Sequence, residues 1–286
     1  MSIEAFQKQK PIIEKRMAFM DGLEASGNYY MERQLASYLL LRMLEWTLIG
    51  GTKFTGQENV NLALQKIDEG DNRLTLAANH TSDTDHSAFE HAFHRNGFGR
   101  LAKILLFPSG LKMWDRPDTK WAMRGMNVSP VPAPGYFDEV RDFEQLPLSD
   151  ADLNMLLEYQ EKMRMLGKKS MEKLIPDWKK GKVVPFFYPE ATRSKDDLIG
   201  RGREETEAYF RHGYTLPLQI EGPGTYFPPN RELWETLKTI AKIALTREFI
   251  VEVKAGELIS NRRLQAPDIR EWLKERKATK VDFVMS

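Results

Sequence analysis

The rhythm of apolar and polar residues changes once along the chain, at Gly50-Gly51. Before that point the apolar positions recur at helical spacing and predict two helices, 3–22 and 29–49, broken at "EASGN" by Ser26 and Gly27. After it, short β-rich runs alternate with helical patterns. Strands are expected at 52–56, 73–78, 101–107, 127–131, 183–188, 214–220 and 249–253. Helical patterns fall between them at 58–68, 84–95, 116–125, 150–180 and 231–245, with a last helix near 267–276. This alternation predicts an α/β domain over 51–286, a mixed, mainly parallel sheet flanked by helices, preceded by a small N-terminal helical element at 1–50. Pro130, Pro132, Pro134, Gly135 and Pro147 make 129–149 read as a long surface loop. There is no internal repeat and no low-complexity segment.

The most apolar segment is "LASYLLLRMLEWTLIG" at 35–50. Arg42 and Glu45 interrupt it, and a spanning helix needs about 20 mostly apolar residues, so it is not expected to cross a bilayer. Gln34, Ser37, Arg42 and Glu45 fall on a narrow polar stripe and leave a broad apolar face. Such a helix either packs on its own domain or lies on a membrane surface, and a peripheral protein can do both. The first residues have no apolar core of signal-peptide type, and their acidic residues argue against a transit peptide. The expected location is the cytoplasm or an organelle stroma, with or without peripheral attachment.

Composition narrows the chemistry. The 286 residues are 41% hydrophobic and 29% charged with a net charge of +1, an ordinary globular balance without the basic excess of a nucleic-acid-binding protein. There is no cysteine, which excludes disulfides, thiolate metal sites and a cysteine nucleophile. "GFGRLA" at 97–102 fits a dinucleotide fingerprint but leaves a helix and enters a strand, the reverse of the required order. No Walker A sequence and no G-x-S-x-G elbow occur. His86, His91 and His94, with Asp83 and Asp85, match no standard zinc spacing, so no metal site is expected.

In parallel sheets ligands collect past the carboxyl ends of the strands. "LTLAANHTSDTDHSAF" at 74–89 places His80 at such an end, with Asp85 expected in the first turn of the next helix. A carboxylate there can hold one imidazole nitrogen and leave the other free as a general base. The same residues also read as a helix start capped by Ser82 or Asp83, with His80 a plain loop residue. A second apolar run, "VVPFFYPEATRSKDD" at 183–197, ends in Glu190, Thr192, Arg193 and Lys195. Backbone amides with an Arg and a Lys suit a phosphate, although Lys195-Asp196-Asp197 also reads as a self-neutralising solvated loop.

Together the two stretches resemble the glycerolipid acyltransferases. "NHTSDTD" is similar to their N-H-x-[ST]-x-x-D block, and "FYPEATRS" to their F-P-E-G-T-R-S block with Ala191 for the usual Gly. "TLPLQIEGP" at 215–223 resembles their fourth block, so the resemblance covers roughly 50–256. The second block of the lysophosphatidate acyltransferases, an apolar run ending in Ile-x-Arg, is missing. Instead "SGLKMWDRPDTKWAMRGMN" at 109–127 resembles the soluble plastid-type glycerol-3-phosphate acyltransferases at Gly110, Pro117, Lys120, Gly125 and Asn127. That subgroup's R-x-R is nearly matched by Arg193-Ser194-Lys195, but its Lys-His pair after the Asn is replaced by "VSPVPAPGYF". If phosphate is bound, Arg124, Arg116, Arg201 or Arg203 supplies the missing charge; otherwise the acceptor is different.

The resemblance implies direct transfer of a fatty acyl group from acyl-CoA or acyl carrier protein, without a bound cofactor. The acceptor is the sn-1 hydroxyl of glycerol-3-phosphate, or alternatively lysophosphatidate. His80 and Asp85 would be catalytic, and Glu190, Thr192, Arg193, Lys195 and Arg124 would bind the acceptor. Residues 35–49 are the candidate membrane contact. Met155, Leu156, Tyr159, Met163 and Leu166 share one helix face and read as an acyl groove or, more commonly, as core. Two rival readings are a lipid-binding module using the same cleft and a metal-dependent hydrolase.

Overall fold

A computed structural model describes residues 1–70, 73–78, 84–115, 117–132, 134–188, 213–223 and 233–261. The chain packs as two compact units, one of Met1–Tyr38 with Phe107–Pro176, the other of Leu39–Leu106 with Asp177–Ser286. The helix expected near 267–276 lies outside the described residues.

The first unit is built on α1 (Ile3–Ser26), capped by Ser2, whose hydroxyl accepts from the Ala5 amide. Gly27 closes it at φ 65, the left-handed conformation that glycine adopts without a Cβ penalty. The helix therefore ends at the break expected from Ser26 and Gly27. Its inward residues Phe6, Ile13, Met20 and Leu23 share a core with Val140 and Phe143 of α7 (Pro134–Glu144) and with Leu156, Tyr159, Met163 and Leu166 of α8 (Asp150–Lys179). The methionine-bearing stripe of α8 is thus core, with Met155 partly buried beside it.

Two expectations are corrected here. The stretch 129–149 is not a loop: it holds β4 (Val128–Val131) and α7. Pro134 is the first residue of α7, where a missing backbone N–H costs nothing, so the proline that read as loop starts a helix. The second helix, α2, runs over Leu35–Leu48 and not from residue 29. Upstream, Met31 instead makes an antiparallel bridge to Val128, with N–O distances of 2.8 and 3.0 Å.

Arg16 of α1 is buried in this unit. Its guanidinium donates to the Asp115 carboxylate at 2.7 and 3.1 Å and to the Tyr159 hydroxyl at 3.4 Å, and it lies 4.5 Å over the Tyr136 ring. Burial opposes its charge, but the hydrogen bonds to Asp115 and Tyr159 outweigh that and raise its pKa. Removing one member of a buried pair strands the other. Arg16→Met is expected to cost about 3 kcal/mol in urea unfolding, whereas Tyr159→Phe, which removes one long contact from the guanidinium to an uncharged hydroxyl, costs about 1 kcal/mol.

The second unit carries a mixed, mainly parallel sheet flanked by helices. Its strands run in the order β1 (Ile49–Thr55), β7 (Phe249–Ala255), β6 (Tyr214–Glu221), β2 (Leu74–Ala78), β5 (Val184–Phe187). Neighbours are parallel except β6 with β7, and β8 (Ile259–Ser260) adds antiparallel to β6. Leu105 and Leu106, the first residues of β3 (Leu105–Gly110), pair with β5, while Phe107–Gly110 pair with β4 in the first unit. The strand expected from residue 101 therefore starts later, because Gly99–Ile104 form the short helix α5. Helices α3 (Gln57–Asp68), α4 (Asp85–Arg95) and α9 (Leu233–Thr246) also belong to this unit. Gly50 is required where α2 turns into β1, since a Cβ there would stand 1.8 Å from the Arg247 carbonyl oxygen.

Helix α2 packs in an unexpected sense. Its polar stripe faces inward: Ser37, Arg42 and Glu45 are buried, while Leu39, Leu40, Met43, Leu44 and Trp46 are exposed. The Arg42 guanidinium donates to Glu45 and, at 2.9 Å, to Glu90 of α4. His91 of α4 lies with its Nδ1 3.8 Å from the Glu45 carboxylate and its ring edge-on to Trp46. Burial raises the Glu45 carboxyl well above the usual range, against the pull of Arg42. Burial, with Arg42 and Arg95 nearby, lowers His91 to about 4.

The pH dependence follows from these directions. Above pH 6.5 His91 is neutral in both states; between 6.5 and about 4 only the unfolded chain takes up its proton, so stability falls as pH falls. Glu45 acts oppositely, because the folded chain keeps a proton that the unfolded chain gives up. The His91 contribution is isolated by comparison with His91→Asn. Urea unfolding at pH 7 and at about pH 5 is expected to show wild type losing about 2 kcal/mol more than the variant over that interval.

Candidate functional site

The site is assembled by strand neighbours. β2 is buried along its whole length and is paired in parallel on both sides. Leu76 and Ala77 stand opposite Phe186 and Phe187 of β5, and Ala77 and Ala78 opposite Pro217 and Leu218 of β6. Three of the sequence blocks singled out above thus sit on β5, β2 and β6, three adjacent strands running the same way. Their carboxyl ends share the edge at which ligands collect in parallel sheets.

Past β2, the described chain resumes at Thr84, and Asp85 is the first residue of α4. It is fully buried. A carboxylate at this position meets the unpaired amides and the positive end of the helix dipole. The next residue, His86, packs edge-on against Tyr188, ring centroids 5.0 Å apart, and Tyr188 in turn meets Phe186 at 5.3 Å. Tyr188 immediately precedes Pro189, so the first turn of α4 touches the chain as it leaves β5. Phe89, one turn further along α4, packs on Phe186 at 4.8 Å.

Of the residues expected to act, His80, Glu190, Thr192, Arg193 and Lys195 lie outside the described residues, as do Arg116, Arg201 and Arg203. Arg124 ends α6 (Pro117–Arg124) in the first unit, where its carbonyl accepts from the Gln34 amide at 2.7 Å. His91, weighed above as a metal ligand, is a core residue beside Glu45 and Trp46. Among the described residues no group of acidic, histidine or cysteine side chains is placed to hold a metal ion.

Sequence reasoning missed the His86–Tyr188 contact. Its signal was present, since Tyr188 is the last aromatic residue before the Pro189 block and His86 directly follows the block's aspartate. Pairing of β2 with β5 was the missing piece, and no local pattern encodes which parallel strands are neighbours.

No protein-family model matches the chain, and no curated protein sequence matches it. Among solved structures, the fold is similar to the 1-acyl-sn-glycerophosphate (LPA) acyltransferase PlsC from Thermotoga maritima, at 13% identity and a TM-score of 0.47, covering 100% of this chain and 85% of that one.

Proposed function

We propose that the protein is an O-acyltransferase of phospholipid biosynthesis that moves a fatty acyl group from a thioester to the sn-1 hydroxyl of glycerol-3-phosphate. The carrying observation is the parallel pairing of β2 with β5, which sets the segments leading to His80 and to Glu190–Lys195 side by side, with Asp85 buried at the head of α4. The donor in this reading is acyl-CoA or acyl carrier protein, and no bound cofactor is required. A bilayer surface is a further partner, through residues 35–49.

In the proposed reaction the acceptor oxygen attacks the thioester carbonyl carbon while His80 takes its proton. The C–O bond forms, the C–S bond breaks, and the proton passes from His80 to the leaving thiolate, so no acyl-enzyme is needed. Asp85 holds the imidazole in the tautomer that leaves its second nitrogen toward the acceptor. Glu190 and Thr192 engage the acceptor, and Arg193, Lys195 and Arg124 hold its phosphate. A chain without cysteine and without a serine elbow suits direct transfer.

Lysophosphatidate is the second candidate acceptor, and one observation favours it. Where the glycerol-3-phosphate subgroup carries a Lys-His pair after the Asn, this chain runs Val128–Val131 as the uncharged strand β4. An acceptor already inserted in a bilayer would also meet the exposed apolar residues of α2.

Thiol release from palmitoyl-CoA and from acyl carrier protein, with each acceptor in turn, separates these readings. Acceptor-dependent release is expected, unaffected by chelators, and His80→Ala should lower kcat by a factor on the order of 10² to 10⁴ with the fold retained. Near-normal turnover in that variant removes the assignment of His80. No release with any pairing leaves the chain as a lipid-binding module, and release abolished by chelation points to the metal-dependent hydrolase.

A further inference from the structure

We propose that His86 and Tyr188 are positioning residues for the transfer: their ring contact fixes the first turn of α4 on the chain leaving β5 and so aligns Asp85 with the segment that begins at Pro189. The inference rests on the acyltransferase reading above. Rings at 86, 89 and 93 stand three and four residues apart, on one side of α4. Phe186 and Tyr188 stand two apart, the spacing of one face of an extended chain. The two rows meet rung by rung. Phe89 lies 4.8 Å from Phe186, and His86 meets Tyr188 edge-on at 5.0 Å with the ring planes at 87°. Within each row the rings also touch, Phe186 with Tyr188 at 5.3 Å and Phe89 with Phe93 at 6.5 Å.

Burial separates the rungs. Phe89, Phe93 and Phe186 are fully buried, so their first effect is on stability. His86 and Tyr188 are half-buried, and losing their contact removes far less apolar area. What distinguishes them is their place in the chain. His86 directly follows the fully buried Asp85, and Tyr188 directly precedes Pro189-Glu190. Successive residues of a helix stand about 100° apart round its axis, so holding the His86 ring sets the direction in which Asp85 points. Helix ends fray, and a first turn therefore depends on a hold from outside the helix. In the proposed reaction the Asp85 carboxylate orients His80, and the 190–195 segment binds the acceptor. A misplacement of about 1 Å between such groups costs up to about a hundred-fold in rate. The last rung thus contributes little to stability and much to alignment.

The test reads His80 directly, by NMR titration of its imidazole in the full chain, assigned by comparison with His80→Ala. Asp85→Asn supplies the reference for a ring without its carboxylate. In wild type the imidazole is expected to titrate above its ordinary value of about 6.5, as a ring beside a carboxylate does. His86→Leu and Tyr188→Leu should each bring it down toward the Asp85→Asn value and lower kcat by about ten- to a hundred-fold, with the acyl-donor KM unchanged. The double Leu variant should lose no more than either alone, because one contact is being removed twice. His86→Phe and Tyr188→Phe keep an aromatic edge at the contact and should restore both the titration and kcat. A His80 titration that responds to Asp85→Asn but to neither Leu variant overturns the positioning role and leaves the acyltransferase reading standing. Equal losses in His86→Phe and His86→Leu also overturn it, since the ring would then act through its own nitrogens. A His80 imidazole indifferent to Asp85→Asn removes the alignment itself. Absence of acceptor-dependent thiol release in wild type is a separate result, and it removes the reading beneath the proposal together with the proposal.

Discussion

Everything in the second unit is arranged around one strand that has no exposed side. β2 is five residues, Leu74–Ala78, buried on both faces and hydrogen-bonded in parallel to β5 on one edge and β6 on the other. Parallel neighbours cannot be joined by tight turns, so each must be reached through a crossover, and such crossovers supply the helices that cover the faces. The indole N–H of Trp178 donates to the Leu74 carbonyl at 2.6 Å, at the start of the strand. At the other end all three strands release their chains at one edge. In parallel sheets it is at this edge that ligands collect.

Much of this was legible in the residues. Among the described residues, short β-rich runs between helical patterns overlap the seven longer strands, because a buried parallel strand has a compact signature of its own. The exceptions have physical reasons. Residues 101–107 are apolar except for Lys103, and a short apolar run does not distinguish strand from buried helix. Leu101 and Ala102 are buried on the helix α5, and extended structure begins only at Leu105. In 129–149 the prolines are accommodated by the elements themselves: Pro130 lies within β4, and Pro134 opens α7.

Of the candidate site, the described residues include Asp85 and Arg124 but not His80 or the 190–195 segment. Asp85 was expected in the first turn of the helix after β2, and α4 begins at Asp85. The touching of His86 and Tyr188, 102 positions apart in the chain, has no local signature; it follows from the pairing of β2 with β5 and from nothing nearer. The same is true of Arg42. Periodicity divides α2 into a polar and an apolar side, but which side turns inward is decided by Glu90 and His91, far along the chain. Without those partners the apolar side would have been the better one to bury.

That dependence ties two parts of α4 to different tasks. Its first residue sets a carboxylate at the edge of the sheet, and its middle supplies the counter-charge for Arg42. Burial keeps the cluster electrically simple: it pushes the Glu45 carboxyl toward its neutral form and holds His91 uncharged, leaving Arg42 and Glu90 to balance each other. A balanced, hydrogen-bonded pair is the form in which charge is tolerated inside a protein. It is also what places the broad apolar side of α2 outside. The polar interior and the apolar exterior of this helix are therefore one arrangement, and α4, which begins at Asp85, is the element that enforces it.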